Sequence, residues 1–190
     1  MANSLTRLLR TASLLLPLAI SAPAAADDTI KHPGDHPDYS VELEPHGLVG
    51  WFGDAYGATA FGLGGRASIP IVQNGFIKSI NNSVGITFGL DLLFYGSCYY
   101  HGSCSATSLE LPVAMQWNFF VAQHWSVFGE PGLYIYHAFL PDCPAGLPCP
   151  TATGVLPAFW AGGRYHISDS VSLTMRIGYP TFSFGVSFFL

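Results

Sequence analysis

Residues Thr181–Leu190 read T-F-S-F-G-V-S-F-F-L, and this closing stretch decides the fold. Side chains alternate between the two faces of a β-strand, so residues of one parity share a face. The face that begins with Phe182 is wholly apolar, and the face that begins with Thr181 carries serine and glycine. An apolar edge strand would promote aggregation in water, but it suits a strand that pairs with the first strand and faces lipid. The stretch therefore predicts the last strand of a membrane barrel.

The same alternation recurs along the chain and predicts an all-β protein, an eight-stranded antiparallel up-and-down transmembrane β-barrel. The clearest strand places Val84, Ile86 and Phe88 outward and Asp91 inward, because a carboxylate on a lipid-facing surface would be very costly. The predicted strands cover residues 41–52, 59–71, 83–95, 109–119, 125–136, 159–167, 171–179 and 181–190.

The composition also favours a membrane barrel. Charged residues are 10% of the chain and hydrophobic residues 49%, which leaves too little charge to cover a soluble protein with this much strand. The formal charge is −5, and it becomes −7 without residues 1–26, which hold two of the seven Lys and Arg and none of the twelve Asp and Glu. A nucleic-acid partner is therefore not expected.

The first 26 residues have the pattern of a secretory signal peptide. Arg7 and Arg10 form its charged region, residues 14–20 its apolar run, and residues 24–26 a small-residue cleavage site. The apolar run is too short for a transmembrane helix. We predict that residues 1–26 are removed during export.

Residues 27–40 show no periodicity and are predicted to be a flexible periplasmic lead-in to a barrel of residues 41–190. Four side chains in this segment could in principle hold a metal ion: His32, Asp35, His36 and Asp38. The interspersed prolines and glycine disfavour a preformed site, so we expect no metal and no cofactor.

An even number of strands places both chain ends in the periplasm, so the connections after strands 1, 3, 5 and 7 are predicted to be extracellular. The four cysteines lie in two of these connections, Cys98 with Cys104 and Cys143 with Cys149. Export favours oxidation and the ends of one loop are close, so we predict one disulfide within each loop. Zinc binding is disfavoured because the spacing differs from that of usual zinc sites.

This topology also sorts the aromatic residues into two interfacial belts. The residues near the outer boundary are Trp51, Tyr179 and Phe182, and those near the inner boundary are Trp117, Phe119, Trp125, Tyr165 and Phe188. The periplasmic connection over residues 72–82 is longer than a usual turn.

Six charged residues are predicted to point into the lumen: Arg66, Asp91, Glu110, Glu130, Arg164 and Arg176. Two more, Glu42 and Glu44, fall near the periplasmic mouth. An eight-stranded barrel is just wide enough for its own side chains, so buried charges must be paired. We favour a salt-bridged structural plug over a narrow gated pore or paired carboxylates that act in acid–base chemistry.

The chain resembles the small eight-stranded bacterial outer-membrane proteins, the class that includes the transmembrane domain of outer membrane protein A. The resemblance rests on the strand pattern, the inward charges and the closing strand, which is similar to the C-terminal signal of outer-membrane barrels. It implies contact with outer-membrane lipid in a diderm bacterium, insertion by the barrel-assembly machinery, and a role in envelope integrity or surface interaction. The extracellular partner is not identified by the sequence.

Two other functions are weighed against a non-enzymatic barrel. His166 and Ser168 form an H-x-S similar to that of lipid A deacylases, which are outer-membrane barrels with a His/Ser pair. Here the pair falls at a predicted periplasmic turn, whereas the resemblance requires the outer leaflet side. A soluble lipocalin-like barrel would expose the Gly, Ser and Thr face with almost no charge, and is disfavoured. A lipid-processing enzyme or a narrow pore remains the alternative.

Overall fold

In a computed structural model, the described parts of the chain are residues 29–50, 59–96, 106–139 and 152–190. They form a closed barrel of eight antiparallel strands in which each strand pairs with its neighbours in sequence and β1 pairs with β8. The strands are β1 (Glu42–Gly50), β2 (Ala60–Val72), β3 (Asn82–Tyr95), β4 (Ala106–Ala122), β5 (Trp125–Phe139), β6 (Ala152–Ser168), β7 (Val171–Tyr179) and β8 (Thr181–Phe189). The predicted up-and-down barrel is confirmed. No helix within these ranges is long and apolar enough to cross a membrane.

The alternation of side chains produces an apolar outer wall and a polar lumen. In β3, Ile86 and Phe88 are 44% and 46% exposed on the outer wall, whereas Asp91 is 1% exposed and faces inward. In β8, Phe184 and Phe188 are exposed outward, while Ser187 is fully buried inside. The hydrophobic surface of this barrel is therefore its exterior.

Strands β4 and β6 are longer than the hydrophobic pattern predicts, at 17 residues each. The predicted strands begin only at Leu109 and Phe159, although the outward face of β6 already carries the exposed Val155. The hydrogen-bonded ladder nevertheless continues, and Ser108 pairs with Ala138. Backbone pairing rather than hydrophobicity sets where these strands begin.

Tyr179 is placed differently from the prediction that it faces outward. It is the last residue of β7, just before Pro180, and its hydroxyl accepts a hydrogen bond of 3.3 Å from the buried Tyr134. A side chain at a strand end is less constrained by the ladder, so the ring leans toward the lumen mouth.

The prediction of a flexible lead-in is wrong for residues 29–40. Residues Thr29–Lys31 form a 3-10 helix, and both Thr29 and Tyr39 are buried. We call residues 29–41 the cap, because they fold across the end of the barrel where β8 ends. The cap is held by hydrogen bonds to specific side chains rather than by an amphipathic face, so its sequence shows no periodicity.

The β2–β3 turn, residues 73–81, has its own internal structure. Asn82 Nδ2 donates to the carbonyls of Ile77 and Ile80, at 2.7 and 2.8 Å. Gly75 has a φ of +38°, and a Cβ atom there would lie 1.7 Å from Asn82 Oδ1. Only glycine therefore allows the turn to close on Asn82.

Candidate functional site

The centre of the lumen is Glu130 on β5, which is fully buried. Its Oε2 accepts hydrogen bonds from Arg176 Nε at 2.9 Å and from Arg66 Nη1 at 3.3 Å. Its Oε1 accepts from Gln116 Nε2 at 2.8 Å and from Arg176 Nη2 at 3.2 Å. One carboxylate thus binds two guanidinium groups from strands on different sides of the barrel.

Arg176 also connects this centre to β1. Its Nη1 donates to Glu44, whose other carboxylate oxygen accepts from Ser187 Oγ at 3.3 Å. Arg176 therefore lies between the carboxylates of Glu44 on β1 and Glu130 on β5 and donates hydrogen bonds to both.

A histidine extends the network to β3. His46 Nε2 lies 2.9 Å from Asp91 Oδ1, and Arg66 Nη2 lies 3.6 Å from Asp91 Oδ2. Gly64 makes room for this contact, since a Cβ atom there would lie 2.1 Å from Asp91 Oδ1. Strand parity places His46 inward, but only the register of the strands brings it to Asp91.

A second cluster lies nearer the cap. Arg164 donates from Nε and Nη2 to the two carboxylate oxygens of Glu42, at 3.0 and 2.8 Å, and from Nη1 to Asn118 at 2.7 Å. The bidentate pair is the stronger geometry for an arginine–carboxylate contact. Glu42 is therefore part of the buried charge network, not simply a residue of the mouth.

Aromatic rings pack against all three lumen arginines. The Arg164 and Arg176 guanidinium carbons lie 4.2 and 5.0 Å from the ring centroid of Phe128, and that of Arg66 lies 4.3 Å from Trp160. These are cation–π distances, and both rings are buried. Phe128 joins the two arginine clusters.

Glu110, the last of the predicted charges, is buried on β4 directly across from Asp91 in the strand pairing. The structure thus places all six predicted residues inside the barrel. The described lumen residues include five buried carboxylates and three guanidinium groups, a formal excess of two negative charges before His46 is counted.

The cap closes over the same network from the end of the barrel where β8 ends. Asn81 is fully buried, donates to Asp35 O at 2.7 Å, and accepts from His36 Nδ1 at 2.5 Å. The His36 ring stacks flat on Phe120, with centroids 4.3 Å apart. Nothing in the sequence pattern indicates this contact, because it depends on two segments that are distant along the chain.

Tyr39 fixes the end of the cap to β8. Its ring packs edge-on against Phe189 at 5.0 Å, and the next amide, that of Ser40, donates to Leu190 O at 2.6 Å. Burial, with the nearby Glu42 carboxylate, raises the pKa of Tyr39 to about 12.

A cleft of about 470 Å³ remains between the cap and the turns after β4 and β6. Its polar lining includes Asp35, His36, His166 and Asp169. Across the described ranges, however, no three His, Cys, Asp or Glu side chains are grouped closely enough to hold a metal ion.

The H-x-S sequence does not form a nucleophile and base. His166 Nε2 lies 2.9 Å from Ser126 Oγ, whereas Ser168 Oγ lies 3.4 Å from Ser170 Oγ. Ser126 is fully buried, so a substrate cannot reach it in this arrangement. The four cysteines, Trp51 and residues 1–26 lie outside the described residues.

No known protein family and no curated protein matches this sequence. Solved structures match in fold. Ail, the attachment invasion locus protein of Yersinia pestis, aligns with a TM-score of 0.52 and 12% identity over 80% of this chain and 98% of Ail, in a crystal structure with the heparin analogue sucrose octasulfate.

Two other barrels align less well. Neisserial surface protein A has a TM-score of 0.49 and 13% identity over 80% of this chain and 97% of its own. The N-terminal β-barrel domain of Pseudomonas aeruginosa OprF has a TM-score of 0.44 and 15% identity over 80% and 98%. A closed barrel with an apolar exterior and a charged interior is suited to lipid. The chain has the fold of the eight-stranded β-barrels of the bacterial outer membrane.

Proposed function

We propose that this protein is a non-enzymatic barrel with a sealed lumen, which acts in envelope integrity or surface interaction through its extracellular loops. The observation that carries the proposal is the buried Glu130, which binds Arg66 and Arg176 across the interior. A lumen crossed by paired charges is filled by its own side chains, as the width of an eight-stranded barrel favours.

The cap supports a sealed barrel from the periplasmic side. A conducting pore needs two open mouths, and residues 29–41 fold across one of them through Asn81 and Tyr39. The separation of His166 from Ser168 likewise weakens the lipid-processing alternative.

The distribution of charge favours one class of surface partner. No Lys or Arg falls in the connections 51–59, 96–105 and 140–151, which we assign to the cell exterior. The seven basic residues are in the predicted signal peptide, in the lumen, or at Lys31 and Lys78 near the periplasmic end. We therefore propose a partner with a neutral or apolar surface rather than a polyanion. The extracellular loops bind this partner, and the two predicted disulfides restrain two of these loops.

Planar-bilayer recording tests the sealed lumen. The refolded protein should show no stable conductance steps, because the charge network blocks the interior. Arg176→Ala combined with Asn81→Ala, which removes the central arginine and loosens the cap, should produce conductance steps, while the outward-facing control Met175→Ala should stay silent. Steady open channels in the unmodified protein would refute the sealed lumen and favour the narrow pore.

A further inference from the structure

The β2–β3 turn folds back onto the outside of the barrel rather than under its mouth. Asn82 and Val84 have the same outward parity as Ile86, and the side chain of Asn82 holds the turn carbonyls. Val84 is 0% exposed, although Ile86 on the same face is 44% exposed. The turn therefore covers the outer wall at the periplasmic end of β3.

The turn exposes two large apolar residues beside the polar Gln73, Asn74, Lys78 and Ser79. Phe76 is 58% exposed and Ile77 is 40% exposed. The Phe76 ring meets Trp117 edge-on at 5.7 Å, and Trp117 lies 5.1 Å from Phe119 on the outer face of β4. The turn thus continues the inner aromatic belt of the lipid-facing wall, and that belt is where amphipathic rings meet the membrane interface.

The other two turns at this end of the barrel differ in chemistry. The β4–β5 turn is Gln123–His124 and the β6–β7 turn is Asp169–Ser170, all polar. An exposed Phe–Ile pair in water would lose hydrophobic stabilisation that lipid contact provides. Among the three turns at this end, the β2–β3 turn is therefore the one that extends the apolar wall beyond the strands.

Lys78 adds a charge beside the apolar pair. Its Nζ donates to the carbonyls of Gly75 and Asn74, at 3.1 and 3.3 Å. An ammonium group has three donors, so one is left for an acceptor outside the turn. An apolar pair followed by an ammonium group matches the order of acyl chain and phosphate in a phospholipid.

We propose that the β2–β3 turn binds phospholipid of the inner leaflet of the outer membrane. Phe76 and Ile77 contact the upper acyl chains, and Lys78 lies beside the phosphate. The occupant is lipid because the turn is continuous with the lipid-facing wall through Trp117. The turn thereby adds an anchor to the inner aromatic belt beside β2 and β3.

Paramagnetic broadening in phospholipid nanodiscs tests the anchor with the unmodified protein. A spin label near the headgroup end of an acyl chain should broaden the Ile77 methyl signals, as it should those of the wall residue Ile86. A gadolinium chelate in the water should leave Ile77 sharp and broaden the amide of Ser170. Broadening of Ile77 by gadolinium and not by the lipid label would overturn the proposal.

The phosphate contact has a separate test. Adding anionic phosphatidylglycerol to the nanodiscs should shift the amide signals of Ile77 and Lys78, and the shift should be lost in Lys78→Gln. Lys31→Gln, a lysine of the cap, is the matched control and should keep the shift. An equal response in Lys78→Gln and the unmodified protein would remove Lys78 from the lipid site.

Discussion

At the scale of single residues, each lumen charge depends on its partners. Arg176→Ala would leave Glu130 and Glu44 buried without their shared cation, and breaking a buried pair in this way costs about 3–5 kcal/mol. We expect that loss in the free energy of unfolding, measured with urea in lipid vesicles. The neighbouring Met175→Ala points outward and should cost less. Equal free energies of unfolding for the Arg176→Ala variant and the parent would show that the charges are not buried together.

Tyr39 gives a residue-scale prediction for pH. Its raised pKa means that the folded protein holds the phenolic proton more tightly than the unfolded chain does. Stability should therefore fall as the pH rises from the ordinary tyrosine pKa of about 10 to about 12. NMR titration of ring-labelled tyrosine should include a late signal that Tyr39→Phe removes. Ionisation of Tyr39 near its ordinary pKa would mean that the cap does not bury it.

The pairing of these charges could be predicted from the sequence only in part. Parity alone places Arg66, Glu130 and Arg176 inside, because a strand has two faces. It says nothing about their height along the barrel, which depends on the register of all eight strands. Arg164 therefore reaches Glu42, 122 residues away in sequence, through a closure between β1 and β8 that no local pattern contains.

At the scale of elements, the cap depends on one asparagine. Asn81→Ala removes the hydrogen bonds to His36 and to the Asp35 carbonyl, a loss of about 1–3 kcal/mol for two buried contacts. The Asp35 amide should then exchange with solvent about tenfold faster or more. Asn118→Ala, which alters only the lumen, should leave this rate unchanged. The same exchange rate in both variants would show that Asn81 does not hold the cap.

The connections were harder to predict than the strands for a physical reason. A lipid-facing strand needs an apolar residue at every second position, so β3 and β8 are evident from the sequence. The cap and the β2–β3 turn satisfy their polar groups through single contacts, such as Asn81 with Asp35 and Asn82 with Ile77. Such contacts leave no periodic pattern in the sequence.

At the scale of the whole molecule, strand number fixes which connections share a side. The cap meets both the β2–β3 turn and Leu190, so these segments lie at one end of the barrel, and residues 97–105 and 140–151 connect strands at the other end. If the first end is periplasmic, the four cysteines are outside the cell. The two predicted disulfides would then restrain loops on a barrel that is already held by its ladder and its lipid-facing wall.

Reduction should therefore loosen the loops and leave the barrel folded. Chain-entropy reasoning gives about 2–3 kcal/mol for closing rings as short as Cys98 to Cys104 or Cys143 to Cys149. Non-reducing peptide mapping should find these two bonds, and reduction on whole cells should increase protease cutting within residues 96–107 and 138–153. A bond between one residue of each pair would refute the pairing within loops and leave the topology intact, since neighbouring loops can meet. Cutting of both loops only from the periplasmic side would instead show that the barrel has the opposite orientation. The assignment of the β2–β3 turn to the inner leaflet would then be wrong as well.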